Sequence, residues 1–317
     1  MDRRMDLRRG LTSRLLPSLL TRLGSRVLAL IAAVTVLLLM LRAAPGDAVD
    51  LITQDELLRS RMTRAWDLDA PLPVAVSRAL SGDWGTSWTV RPGQSVRSLL
   101  SNALWSSLPL LTGAFSTMVL AGLALGTRDR TPRWSRPSIS VLPIFLLGWA
   151  LVVGLNEATF AAMQSGILER PSWFSLPDTP SWLRSLLAVA VLAVGSGNVR
   201  AFSQGVRHSL GHHRSSPAVE ALEARGMPFQ RVLWRLMFAD LTALTAERAV
   251  YLFGGLVVLE RVFSMPGLGS LFFEACIQRD QPVVLASGVL AAVGVMSVRL
   301  FADGLRLVAD PRLRDPA

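Results

Sequence analysis

Few residues in this chain have the type and spacing for chemistry. His208, His212 and His213 are its only histidines. The i,i+4 spacing of His208 and His212 can put two metal ligands on one helical face. Gly211 lies between them, however, and no acid or cysteine stands within several residues, which favours a solvated loop. Cys276 is the single cysteine, so an internal disulfide framework and any CxxC metal site are excluded. All 33 basic residues are arginine. A P-loop needs a lysine on its phosphates and a pyridoxal Schiff base needs a lysine amine, so neither chemistry is available here. A membrane-embedded hydrolase would need an intramembrane histidine or paired carboxylates, yet no expected span contains a histidine, and neither HExxH nor GxSG occurs. The sequence therefore points to no metal, no cofactor and no catalytic residue.

The elements around these residues explain why. Of 317 residues, 51% are hydrophobic and 18% charged, against a charged share of roughly a quarter in soluble domains. Marking each charge leaves long apolar gaps. The first, between Arg26 and Arg42, holds 15 residues, a helix of about 22 Å whose flanking arginines can snorkel to a core of about 30 Å. Others follow within Ser98–Thr127, Pro137–Asn156, Ser185–Val199 and Gln281–Val298. A fifth in chain order, Ala249–Leu259, is short, and to span it must reach back past Glu247 and Arg248. This is an all-α membrane protein with six expected spans.

Arginine excess alternates along the connections. It is high in residues 1–26, 128–136 and 200–240, and balanced or reversed in 42–97, 157–184 and 260–280. The positive-inside rule then places both termini in the cytoplasm. The net charge of +10 is dealt out between spans rather than gathered on one face, which argues against a nucleic-acid partner. Loop 45–97 is expected to be a small extracytoplasmic cap without extended periodic segments.

Within the cytoplasmic connection, Ser216 can cap a helix that opens on Pro217. Arg225 lies in its last turn, Gly226 suits the position after it, and Pro228 blocks continuation. A short helix here could fit a groove on a partner or lie on the bilayer interface.

Glu220, Ala221 and Leu222, with Gly226 after three further residues, resemble the EAA…G coupling loop of ABC-importer permease subunits. Four more segments resemble that family in the same order. They are LRAAPGD with Pro45, Gly46 and Asp47; LDAPLP…GDWGTS over Leu68–Ser87; ERVFSMPGLG…RDQP with Glu260, Phe263, Pro266, Gly267, Gly269, Asp280 and Pro282; and DPR at Asp310, Pro311 and Arg312. The subclass resembled is the dipeptide, oligopeptide and nickel type. The resemblance implies a type I importer-like fold and a non-catalytic half of a translocation pathway in a bacterial inner membrane. The implied partners are a second, paralogous permease, two ATPase subunits, an extracytoplasmic binding protein and the lipid bilayer. It divides the chain into a cytoplasmic segment 1–26, a first span with outer loop at 27–97, a permease core at 98–310 and a tail at 311–317. A non-transporting scaffold with the same fold is the alternative.

The chain also departs from the family pattern. Leu222 replaces an alanine, and the histidine and proline expected beyond the coupling glycine are absent. Glu247 and Arg248 fall where the family is apolar or amide-bearing. Either they contact the solute path or a partner, or they snorkel at the cytoplasmic interface, the reading favoured here. As neighbours they point about 100° apart, so they are not a natural mutual pair. Two further patterns concern packing. Gly122 and Gly126 form a GxxxG, either a close-packing face or a chance pair. Pro266–Gly269 is expected to make a tight turn before a re-entrant or surface segment.

Overall fold

The computed structural model describes residues 2–43, 49, 55–65, 70–128, 142–166, 181–226, 228 and 230–309, with side chains in the first helix from Leu23 onward. Among these residues the chain is helical, and its only β pairing is an isolated bridge between Thr86 and Ser95. The helices are α1 (Asp2–Ala43), α2 (Glu56–Ala65), α3 (Leu72–Ser81), α4 (Val96–Gly126), α5 (Ile144–Gln164), α6 (Ser181–Val194), α7 (Asn198–Arg214), α8 (Pro217–Ala224), α9 (Gln230–Val262), α10 (Leu268–Ile277) and α11 (Gln281–Ala309). Six stretches are long and apolar enough to cross a bilayer: Leu23–Ala43, Val96–Gly126, Ile144–Gln164, Ser181–Arg214, Val232–Val262 and Gln281–Arg306.

Four of the six lie close to the charge-free gaps; the other two differ in an informative way. The fourth does not stop at Val199. Gly195–Gly197 forms one 3₁₀ turn, with Ser196 (φ 52) and Gly197 (φ 69) both left-handed. The chain then resumes as α7, where a cytoplasmic loop was expected. α7 is polar in sequence but amphipathic in space, since Val199, Phe202 and Val206 are all buried. Buried Asn198 bridges the break by donating Nδ2–H to the Leu192 carbonyl at 3.1 Å. The fifth span is the 33-residue α9, about 50 Å long. It contains Glu247 and Arg248 near its midpoint and runs on past them toward its N-terminus.

The main core lies between α4, α5, α6, α7 and α9, around Met118, Leu192, Phe202, Met237, Leu252 and Phe263. The GxxxG of α4 belongs to it. A methyl group on Gly122 would lie 2.5 Å from Phe202 Cδ1, and one on Gly126 would lie 2.6 Å from Val206 Cβ. The motif is therefore a close-packing face within the chain, against α7.

Helix α1 packs on α11 and α3 through Val34, Leu38, Ala79 and Val289. Arg26 of α1 pairs with Asp303 near the end of α11, so these two parts of the chain share one end of the bundle. At the opposite end, Arg42 donates to the Ala70 carbonyl. Residues 55–95 were expected to lack regular segments, yet they include α2 and α3. Outward faces carry large apolar side chains, among them Trp105, Trp149, Phe160 and Trp182. On spanning helices such a belt is the surface offered to lipid or to a partner.

Candidate functional site

Two buried carboxylates organise the end of the bundle that carries residues 82–95. The first is Glu260, in the last turn of α9 and 1% exposed. Its Oε1 accepts from the Ser107 hydroxyl of α4, and its Oε2 accepts from the backbone N–H groups of Gly269 (2.8 Å) and Ser270 (3.1 Å). Ser107 Oγ in turn accepts the Leu268 N–H at 2.8 Å, and Leu271 N–H donates to the Gly267 carbonyl at 2.9 Å. The N–H groups of Leu268, Gly269 and Ser270, which precede the first helical hydrogen bond of α10, are thus all satisfied. A negative charge also faces the positive end of the α10 dipole. Pro266 and Gly267 make the turn between the helices as expected. A methyl group on Gly267 would overlap the Glu260 carboxylate, and one on Gly269 would overlap the Val257 backbone. Phe263 is buried at 1% exposure in the main core.

The second carboxylate is Asp280, fully buried between α10 and α11. Its Oδ2 accepts from the Ser87 hydroxyl and from the N–H groups of Trp88 (3.0 Å), Thr89 (3.0 Å) and Val90 (3.1 Å). Its Oδ1 accepts from Val283 N–H at 3.4 Å at the start of α11, where Pro282 needs no donor partner. The segments 82–90 and 260–284, far apart in the sequence, therefore meet through one side chain.

The other end of the bundle carries α8. Ser216 precedes it, Pro217 opens it, and Gly226 follows at φ 65, the left-handed geometry expected after a helix end. Only Val219 is buried among its described residues; Glu220, Ala221, Glu223, Ala224 and Arg225 are exposed and Leu222 is half-buried. The Ser216 hydroxyl does not cap α8; it donates to the His213 carbonyl at 2.7 Å. Among its described residues, α8 is a charge-bearing helix anchored by one buried apolar side chain.

Glu247 and Arg248 do meet, with Arg248 Nη2 3.4 Å from Glu247 Oε1, although adjacent positions diverge on a helix. Arg248 also stacks over the Tyr251 ring, 5.1 Å from its centroid. Glu247 and Tyr251 are exposed along one face of α9 that no other helix covers among the described residues. His213 is not in a loop: it lies on α7, partly exposed, and contacts the half-exposed Asp240 of α9. His208 and His212 stay exposed on α7. Pro45, Gly46, Asp47, Asp310, Pro311 and Arg312 lie outside the described residues.

The family described as binding-protein-dependent transport system inner membrane component matches residues 118–315, more than half of the chain. The chain belongs to that family. Along most of its length it is also similar to curated permeases. It is 26% identical to a putative peptide permease protein of Brucella ovis over 90% of this chain and 96% of that one. It is 26% identical to an oligopeptide transport system permease protein of Bacillus subtilis, over 86% and 92%. It is 25% identical to a dipeptide transport system permease protein of Lactococcus lactis, over 93% and 98%. The chain is a multi-pass membrane permease subunit, and ATP hydrolysis is not the task of such subunits.

Sequence reasoning missed the serines. Nothing around Ser107 or Ser87 marks them as partners of carboxylates 153 and 193 positions away. His213 and Asp240 carried a faint signal. An amphipathic period through Val199, Phe202 and Val206 extends α7 to His213, which places that residue on an ordered helix rather than a loop.

Proposed function

We propose that this chain is one of two paralogous permeases in a bacterial inner-membrane importer of peptides or similar small solutes. Both termini are cytoplasmic, the segment 82–95 faces the extracytoplasmic binding protein, and α8 docks in a cleft of an ATPase subunit. The observation that carries the reading is α8 itself. Its Glu220–Gly226 stretch is displayed almost wholly free of the rest of the chain, at the end of the bundle shared by Arg26 and Asp303. Arginine-rich connections at that end support a cytoplasmic position. The peptide class follows the names of the relatives. Glu247 and Arg248, on the uncovered face of α9, contact the solute path or the second permease, because a charge at span depth is tolerated where it meets water or a partner.

In this reading the ATPases close on ATP, carry α8 with them, and switch the permease pair between inward- and outward-facing states. The test is purification of the complex with its neighbours, followed by ATPase assays with the binding protein and a defined mixture of short alanine peptides. Glu220→Arg and Gly226→Pro should each abolish stimulation while the chain still inserts in the membrane. Stimulation surviving both changes would remove α8 from the coupling role, and a chain that purifies alone would remove the importer reading.

A further inference from the structure

At the α8 end of the bundle, a continuous run of hydrogen bonds joins α9 to the first turn of α8. His213 Nε2–H donates to Asp240 Oδ2 at 2.9 Å, and the Ser209 hydroxyl donates to the same oxygen at 2.8 Å. Asp240 is thus held by two residues one helical turn apart on α7. The carboxylate acceptor fixes the proton on Nε2 whether the ring is neutral or charged. The His213 carbonyl then accepts from Ser216 twice, from its hydroxyl at 2.7 Å and its N–H at 3.2 Å. The Ser216 carbonyl accepts from Val219 N–H (3.0 Å) and Glu220 N–H (3.1 Å). On the other side, Arg306 of α11 donates to the Ala239 carbonyl at 3.2 Å, next to Asp240. Beyond this run, Val219 is the one buried side chain among the described residues of α8.

We propose that His213 and Asp240 are positioning residues for coupling: a strut that converts displacement of α8 into displacement of α9, and so of the face bearing Glu247 and Tyr251. The proposal rests on the coupling reading of α8. Its physical basis is stiffness. A displacement of a short helix is lost in a flexible link but passes along a connected set of hydrogen bonds into a rigid 33-residue helix. Gly205 adds to the rigidity, since a methyl group there would overlap Leu244 of α9; α7 and α9 are in close contact just beyond the strut.

The experiment uses the assembled complex in nanodiscs, with Cys276→Ser removing the native thiol. Val258→Cys on the exposed face of α9 reports the state of the helix through its rate of maleimide labelling, without nucleotide and after trapping with ATP and vanadate. Glu223→Cys, in separate preparations, reports by cross-linking whether α8 sits against an ATPase subunit. With the strut intact, the Val258→Cys rate should differ between the two states by about fivefold or more. His213→Ala and Asp240→Ala should each collapse that difference, and the double variant should show no further loss, because the two residues act as one unit. His213→Gln, whose Nε2 can still donate to Asp240, should restore most of it, which a general packing defect would not allow. A difference that survives both single changes, or losses that simply add, would overturn the strut. Failure of Glu223→Cys to cross-link would instead overturn the coupling reading beneath it. If His213→Ala fails to assemble, Asp240→Ala and His213→Gln decide the matter, since the half-exposed Asp240 side chain leaves no buried cavity and glutamine keeps the donor.

Discussion

The carboxylate of Glu260 occupies the space that a side chain at Gly267 would fill. It does so because α9 and α10 are joined by a tight turn whose N–H groups have no other acceptor at hand, and Ser107 of α4 closes the arrangement from a third helix. Gly267 therefore serves close approach and not an unusual dihedral, since its backbone is fully extended. Gly267→Ala should cost about 1–3 kcal/mol by overpacking. Glu260→Gln keeps the shape but loses charge-assisted bonds, each worth about 1.5–3 kcal/mol. Both should lower the unfolding temperature of the purified subunit complex, measured by intrinsic tryptophan fluorescence. An unchanged melting temperature for Gly267→Ala would mean the turn is looser than the structure has it.

Asp280 plays the parallel part for the segment that faces away from α8. Its Oδ2 takes three consecutive backbone N–H groups and one hydroxyl and its Oδ1 takes Val283 N–H, so Asp280→Ala removes the acceptor of five donors. Unsatisfied buried donors cost about 1–3 kcal/mol each, and the local answer is to let the segment lift into water. Hydrogen exchange should show the amides of Trp88, Thr89 and Val90 losing protection in Asp280→Ala. Asp280→Asn, which keeps one carbonyl acceptor, should show a partial loss. Because α8 lies at the other end of the bundle, ATPase docking should be unaffected.

How much of this was legible beforehand depends on the range of the interaction. Six spans follow from gaps between charges, because a bilayer core tolerates few of them. Span five strained that logic: Glu247 and Arg248 interrupt the charge-free gap, and α9 runs on well past them toward its N-terminus. Arg248 reaches back to Glu247 and lies against Tyr251, which lets both charges occur far from a helix end. α7 was misread for the opposite reason. Its arginines and histidines dominate composition, while the three apolar residues that bury it are visible only through their spacing. The ends of α8 were legible, since Pro217 and Gly226 act within a few residues of the backbone they shape. Ser107 and Ser87 were not, because a hydroxyl carries no sign of which distant carboxylate it will meet.

The close contact of α4 with α7 makes a graded prediction. At Gly126 an added methyl would meet Val206 Cβ at 2.6 Å and the Ser203 carbonyl oxygen at 2.9 Å, the latter being backbone that cannot rotate away. At Gly122 the obstacle is the ring of Phe202, a side chain with some freedom to adjust. Gly126→Ala should therefore be the more damaging, by about 1–3 kcal/mol, and Gly122→Ala the milder. Phe202→Leu should relieve Gly122→Ala and leave Gly126→Ala unimproved, a pairing that thermal melts of the single and double variants would resolve. Equal damage at both positions would show that the limit is helix spacing as a whole rather than the particular atoms opposite each glycine.

Cys276 supplies a native probe of sidedness. It lies near the end of α10, close in sequence to Asp280 and on the end of the bundle that carries residues 82–95, and burial pushes its thiol above the ordinary range. The thiolate is the reactive form, so a raised pKa means less of it at any given pH. An ordinary cysteine is a few per cent thiolate at neutral pH; Cys276 should be below that and should label slowly with maleimide at pH 7. Its rate should still be rising at pH values where a free thiol, with a pKa of about 8.5, is almost fully ionised and has levelled off. In right-side-out vesicles a membrane-impermeant maleimide added outside at pH 9 should label it, and Cys276→Ser should abolish the signal. Labelling confined to inverted vesicles would reverse the orientation of the whole chain and place α8 on the side where no ATP is found.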